Sequence, residues 1–255
     1  MTATPAGMTY ADYLALDRLL TAQQPLSSLH DEMLFIVIHQ TKELWLKQML
    51  HELALAIALT GEDQFAAAYK AMARIGRIQA VMTLSWDVLS TLTPVDYSAF
   101  RDVLGTSSGF QSVQFRELEY RLGIKDPRFL EHCPEGSEAR ARLQAALDET
   151  SLRDASHAAL ERAGFDLGDR SESAVGEAWL QVYRDPERWF DLYQMAEKLV
   201  DLDDALASWR HKHVLTVERI IGNKTGTGGS AGAKYLRSTL DKRAFPELWS
   251  MRTGL

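Results

Sequence analysis

Breakers of regular structure are spread very unevenly along this chain, and that spread constrains its fold more than anything else in the sequence. From Leu26 to Thr93 there is no proline and only two glycines, Gly61 and Gly76, whereas five glycines (222, 226, 228, 229 and 232) crowd into eleven residues. Inside a helix a proline costs about 3 kcal/mol and a glycine about 1 kcal/mol relative to alanine, so a stretch with so few of them permits long helices. The cluster marks one loop in which backbone can take conformations closed to other residues.

Apolar spacing fills in the helices. Thr9 with Asp12 reads as a capping box for a short amphipathic helix carrying Tyr10, Tyr13, Leu14 and Leu20, stopped by Pro25. Ser28 and Asp31 can cap a long helix to about Thr60. Helical spacing continues from about Glu62 to Leu92, and Thr93-Pro94 ends it. Pro94 opens a short segment that closes at Gly105, and Ser107 or Ser108 can cap a helix ending at Gly123. Residues 124–176 are more polar and are expected to form an exposed helical excursion. A last long helix runs from beyond Pro186 to Ile221. No segment alternates with β-branched enrichment, so the expectation is an all-α, single-domain helical bundle over 1–255.

Composition removes whole classes. With 28 basic and 35 acidic side chains the net charge is −7, which argues against a nucleic-acid footprint. The single cysteine, Cys133, excludes an intrachain disulfide framework and a multi-cysteine metal site. No apolar run approaches the roughly 20 residues that span a bilayer, and MTATPAGMTY lacks the pattern of a secretory signal. A cytoplasmic setting without membrane partners is expected.

Chemistry enters where histidines interrupt apolar stripes. In the last long helix Leu192, Met195, Leu199, Leu202, Leu206, Trp209, His213, Val217 and Ile220 step by three or four residues, so His213 stands where an apolar residue is due. His211 lies about 200° around the helix and faces elsewhere. The first long helix repeats the theme with Phe35, His39, Leu46, Leu50, Leu53 and Ile57. One buried histidine is usually a hydrogen-bonded core residue; two on two long helices point to a shared ligand or cofactor. None of the seven histidines follows a glutamate by three residues, and His-Glu-x-x-His is absent, so di-iron and zincin patterns fall away while haem, which needs one axial histidine, survives. Tyr97 and Arg101, four apart, place a ring and a carboxylate-gripping guanidinium on one face. The loop GNKTGTGGSAG, 222–232, offers backbone amides and the hydroxyls of Thr225, Thr227 and Ser230, without a Gly-Lys-Ser/Thr phosphate motif.

Three blocks, HDEMLFIVIHQTKELWLKQMLHEL, DYSAFRDVLGTSSGFQSVQFRELE and SWRHKHVLTVERIIGNKTGTGGSAGAKYLRSTL, resemble the tryptophan 2,3-dioxygenase family in order and spacing over nearly the whole chain. The related indoleamine 2,3-dioxygenases carry a serine where this chain has His39. The resemblance implies a haem b, one per subunit, in a pocket between the long helices, with His213 as its axial iron ligand. It implies His39 as the distal residue meeting the indole N–H, with Phe35, Ile36, Val37, Ile38 and Tyr97 as the wall against the indole. Arg101 would take the substrate carboxylate, Thr227 the amino-acid end, Ser108 a place near the distal haem face, and Trp209 a place beside His213. Tyr10, Tyr13 and Leu14, in an intersubunit segment 1–25, would reach a neighbour's pocket in a homotetramer, a dimer of dimers. The implied reaction joins both atoms of O2 to L-tryptophan, giving N-formyl-L-kynurenine, the first step of tryptophan catabolism by the kynurenine pathway. The competing readings are a bis-histidine haem electron carrier using His39 and His213, and a purely structural helical oligomer.

Overall fold

In the computed structural model, which describes residues 7–255, every regular element is helical. Residues 1–6, the start of the expected intersubunit segment, lie outside the described residues. Two short helices, α1 (Tyr10–Leu14) and α2 (Leu16–Leu19), lead into α3 (His30–Gly61), which turns through Asp63 into α4 (Phe65–Leu89). Next come α5 (Pro94–Phe100), a 3-10 turn at Gly109–Gln111, and α6 (Val113–Leu122). Then follow α7 (Glu138–Asp148), α8 (Leu152–Arg162), α9 (Glu172–Arg184) and α10 (Phe190–Ile221). After the glycine-rich loop, α11 (Ala233–Arg237) and α12 (Pro246–Ser250) complete the chain.

The caps follow the sequence in part. Thr9 with Asp12 and Thr93 with Asp96 form complete capping boxes. The start of α3 differs from expectation: neither Ser28 nor Asp31 caps it, and Leu29 holds the N-cap position. Instead the buried Glu32 turns its carboxylate back to accept the backbone N–H groups of Leu26 and Ser27, both at 2.8 Å. Ser112 rather than Ser107 or Ser108 caps α6, and Ser108 caps the 3-10 turn.

Helix α4 lies between α3 and α10, each 32 residues and therefore about 48 Å long. The short turn after Gly61 makes α3 and α4 antiparallel, while the pairings Gln79 with Leu202 and Trp86 with His213 make α10 run parallel to α4. The start of α3 thus shares one end of the bundle with the ends of α4 and α10. At the other end the stripes close into the main core: Met49, Leu53 and Ala56 of α3 pack against Ala68, Met72 and Ile75 of α4 and Leu192, Met195 and Leu199 of α10. Alanines at the contacts let the helix axes approach.

The stretch 124–176, expected to stand exposed, is instead half built into the molecule. Leu143, Leu152, Leu160, Leu167 and Val175 are buried, four of them in the main core. Its polar composition belongs to the outer faces of amphipathic helices and to internal ion pairs. His157 and Arg153 of α8 both bind the buried Glu247 of α12, at 3.0 and 2.7 Å.

A second buried carboxylate ties the C-terminal segment down. Asp203, on the core face of α10, accepts the backbone N–H groups of Ala244 and Phe245 and the indole N–H of Trp249, at 3.0 to 3.3 Å. Stranding those buried donors costs about 1–3 kcal/mol each before relaxation. Asp203→Ala is therefore expected to lower the unfolding free energy by about 3 kcal/mol, and Asp203→Asn by less, in urea denaturation; a loss within error for the alanine variant would show that these bonds do not hold the segment.

Candidate active site

At the bundle end where α3 begins and α4 and α10 finish, the helices part around a cavity of about 650 Å³. This lies within the roughly 300–1,000 Å³ common for ligand sites. Its walls are mainly apolar, and both stripe histidines line it. His39 enters from α3 with its ring 4.2 Å from that of Phe35. Its Nδ1 lies 2.7 Å from the carbonyl of Phe35. A carbonyl only accepts, so Nδ1 carries the proton and donates, leaving Nε2 as an acceptor. Burial pushes the His39 imidazole down to about 4, so it is neutral near pH 7.

His213 enters from α10, stacked on Trp86 at 4.3 Å with the planes 10° apart, and touches Trp209 at 5.2 Å. Burial lowers its basicity too, to about 3, with Lys42 acting in the same sense. His211, by contrast, is exposed and sets its Nδ1 against the carbonyl of Ala207.

The mouth is built by α5 and the glycine-rich loop. Tyr97 is buried between Phe35, 5.9 Å away, and Phe100, 5.4 Å away. Arg101, half-buried, donates to the backbone carbonyl of Thr225, and the Thr227 hydroxyl donates to the carbonyl of Ser107. Two glycines are obligatory here. A Cβ on Gly228 would lie 2.7 Å from that of Ser108, and one on Gly232, at φ +58°, would lie 2.4 Å from the carbonyl oxygen of Lys224.

Of the residues singled out in the sequence, Phe35, Ile36, His39, Tyr97, Ser108, Thr227 and His213 line this cavity together. Val37 and Ile38 do not. Successive helical residues turn by about 100°, so Val37 points outward, 41% exposed, and Ile38 packs into the cluster of Trp86, Leu89 and Phe100. Arg101 stands at the rim with its guanidinium on the loop. Tyr10 and Tyr13, each 76% exposed, and Leu14 lie away from the cavity of their own chain. Sequence reasoning missed Lys42, Trp86 and Arg116, all on the cavity wall. Lys42 had a signal: the stripe on α3 skips from His39 to Leu46, and position 42 fills that gap.

The walls suit a haem. Among the described residues no group of three or more His, Cys, Asp or Glu gathers to hold a metal ion, so His213 would act alone. A single neutral imidazole matches a porphyrin, which brings its own four nitrogens. Four buried donors on this wall, Lys42 Nζ, Trp86 Nε1, Arg116 Nε and Trp209 Nε1, have no hydrogen-bond partner among the described residues, which is the mark of a wall shaped for a polar-edged group. No helix of the described residues is long and apolar enough to cross a membrane.

Comparison with known proteins agrees with this geometry. The family model described as tryptophan 2,3-dioxygenase matches residues 1–173 and 166–255. A tryptophan 2,3-dioxygenase of Caulobacter vibrioides is 62% identical over 97% of this chain and 98% of its own length. Those of Bacillus cereus and a Bradyrhizobium species are each 51% identical over 97% of this chain and 93% of theirs. With a family model that covers the chain from end to end and relatives at half identity or more over 97% of it, the chain belongs to the tryptophan 2,3-dioxygenase family.

Proposed function

We propose that the cavity between α3 and α10 is a haem b site, one per subunit, in which L-tryptophan is oxidised with both atoms of O2 across the indole C2–C3 bond to N-formyl-L-kynurenine. The observation that carries this reading is the pair of neutral imidazoles, on two long helices, facing one apolar cavity. His213 would hold the iron. When bound, the haem supplies the redox-active centre that makes O2 reactive toward the indole.

The chain's own groups position the substrate. Phe35 and Tyr97 give an aromatic wall for the indole, and Nε2 of His39, kept an acceptor by the bond from Nδ1–H to Phe35, takes the indole N–H. His39 sets pose and need not remove a proton, since an indole N–H is a very weak acid. At the rim Arg101 pairs with the carboxylate and Thr227 with the amino-acid end, turning a loose encounter into a near-attack arrangement. The glycine-rich loop is tied to the same end through Arg101 and Ser107. An electron carrier would have no use for Tyr97, Arg101 and this loop together. We further propose a cytoplasmic homotetramer, a dimer of dimers, in which Tyr10, Tyr13 and Leu14 pack on a neighbouring subunit; their exposure on α1 supports this.

The direct test is to reconstitute the chain with haem, reduce it, add L-tryptophan and air, and follow N-formylkynurenine absorbance. His213→Ala is expected to abolish retained haem or its five-coordinate spectrum; an intact Soret band with normal turnover would overturn the ligand assignment. Removing one member of a desolvated charge pair costs about 2–5 kcal/mol, so Arg101→Ala is expected to raise the KM for tryptophan by at least about 30-fold. An unchanged KM would refute the carboxylate role. Because the His39 imidazole titrates near 4 rather than 6.5, it stays neutral above about pH 5, and His39→Ala should keep measurable turnover and the same kcat/KM profile between about pH 6 and 8. The same displacement makes the unfolded chain bind a proton first as pH falls below about 6.5, so acid costs stability through this group between 6.5 and about 4. An acid limb near pH 6.5 in the parent that vanishes in His39→Ala would show that His39 does titrate during turnover.

A further inference from the structure

Lys42 is the one charged side chain on the cavity wall without a hydrogen-bond partner among the described residues. The others are engaged. Glu32 takes Leu26 and Ser27, Glu43 takes Ser112 and Gln114, and Glu119 is shared by Arg116 and Arg210. Lys42 is 6% exposed, one turn beyond His39 on the same face of α3, and its Nζ lies 2.8 Å from the centroid of the Trp86 ring that stacks on His213. An unpaired buried ammonium is costly, and burial alone pushes this one down to about 6. A carboxylate brought into the cavity would remove that penalty.

The substrate's carboxylate is not the candidate, because its partners stand elsewhere. Phe35, which contacts Tyr97 near the rim, precedes Lys42 by seven residues, about 10 Å along the helix axis. Lys42 is therefore far down the wall from Arg101 and Thr227. The haem itself carries two propionates. We propose that Lys42 is the cation that receives a haem propionate, a positioning residue for the cofactor that fixes the rotation of the porphyrin between His39 and His213. This rests on the haem reading above. Lys42 Nζ sits over the face of Trp86, whose own Nε1 is likewise without a hydrogen-bond partner among the described residues.

The test compares ferric protoporphyrin IX with its dimethyl ester, which has the same ring and iron but no carboxylates. Both are titrated by Soret absorbance into the full chain and into Lys42→Met and Lys42→Arg. A desolvated ion pair between lysine and propionate should make the parent prefer the free acid by at least about tenfold. Lys42→Met, which keeps the volume of the stem, should lose most of that preference by weakening the acid and leaving the ester unchanged; Lys42→Arg should retain it. Haem transfer to an excess of apoglobin should accelerate for Lys42→Met alone. If Lys42→Met binds the acid as the parent does, or weakens acid and ester equally, the proposal is overturned while the haem reading stands. If the parent binds neither porphyrin, the haem reading fails and this inference with it.

Discussion

Everything in this molecule follows from two long helices that share one neighbour. Because α4 packs on both α3 and α10, a single pair of interfaces decides where side chains interlock and where they part. Toward one end the stripes are leucine, methionine and alanine and close completely, with Leu53, Ile75 and Met195 fully buried. Toward the other the same stripes present His39, Trp86 and His213, and the helices enclose a cavity. Core and site are successive stretches of the same surfaces. The packed end fixes the axes to within the tolerance of a close-packed interior, and rigid helices carry that precision to the histidines.

The site also shows what low dielectric does to a buried imidazole that has no carboxylate bonded to it. His39 and His213 are both driven to the neutral form by burial. For the first, together with the bond from Nδ1–H to Phe35, this makes Nε2 a hydrogen-bond acceptor, and for the second it leaves one ring nitrogen with a free lone pair. Elsewhere buried charge is kept by pairing it closely, as in Glu247 with Arg153 and His157, or Glu119 with Arg116 and Arg210. The first pairing ties α8 to the C-terminal segment, and the second lies on the cavity wall itself, so paired charges and unpaired imidazoles share that wall.

How much of this was legible in the sequence depended on periodicity. The stripes of α3 and α10 located His39 and His213, because a polar residue at an apolar position is visible without coordinates. The same rule located Lys42, had the gap between His39 and Leu46 been pursued. Val37 and Ile38 illustrate the opposite limit: a contiguous motif is not a contiguous surface on a helix, and only Phe35, Ile36 and His39 of that run line the cavity. The cap on α3 was missed because Glu32 reaches backward over residues 26 and 27, a loop geometry that no local pattern encodes. The 124–176 stretch was misjudged on average polarity, which hides a narrow apolar face when the rest of each helix is charged.

The bonds at the rim carry a further implication. In the chain by itself the Arg101 guanidinium rests on the carbonyl of Thr225, and the Thr227 hydroxyl on that of Ser107. On the function proposed above, a substrate arriving at either group trades places with a backbone oxygen rather than with bulk water alone. Affinity there measures a difference between two sets of hydrogen bonds, so a change in the loop at a residue other than Thr227 could tighten or loosen binding without touching the ligand. The loop is in that sense a built-in competitor, held at fixed effective concentration by the chain that carries it.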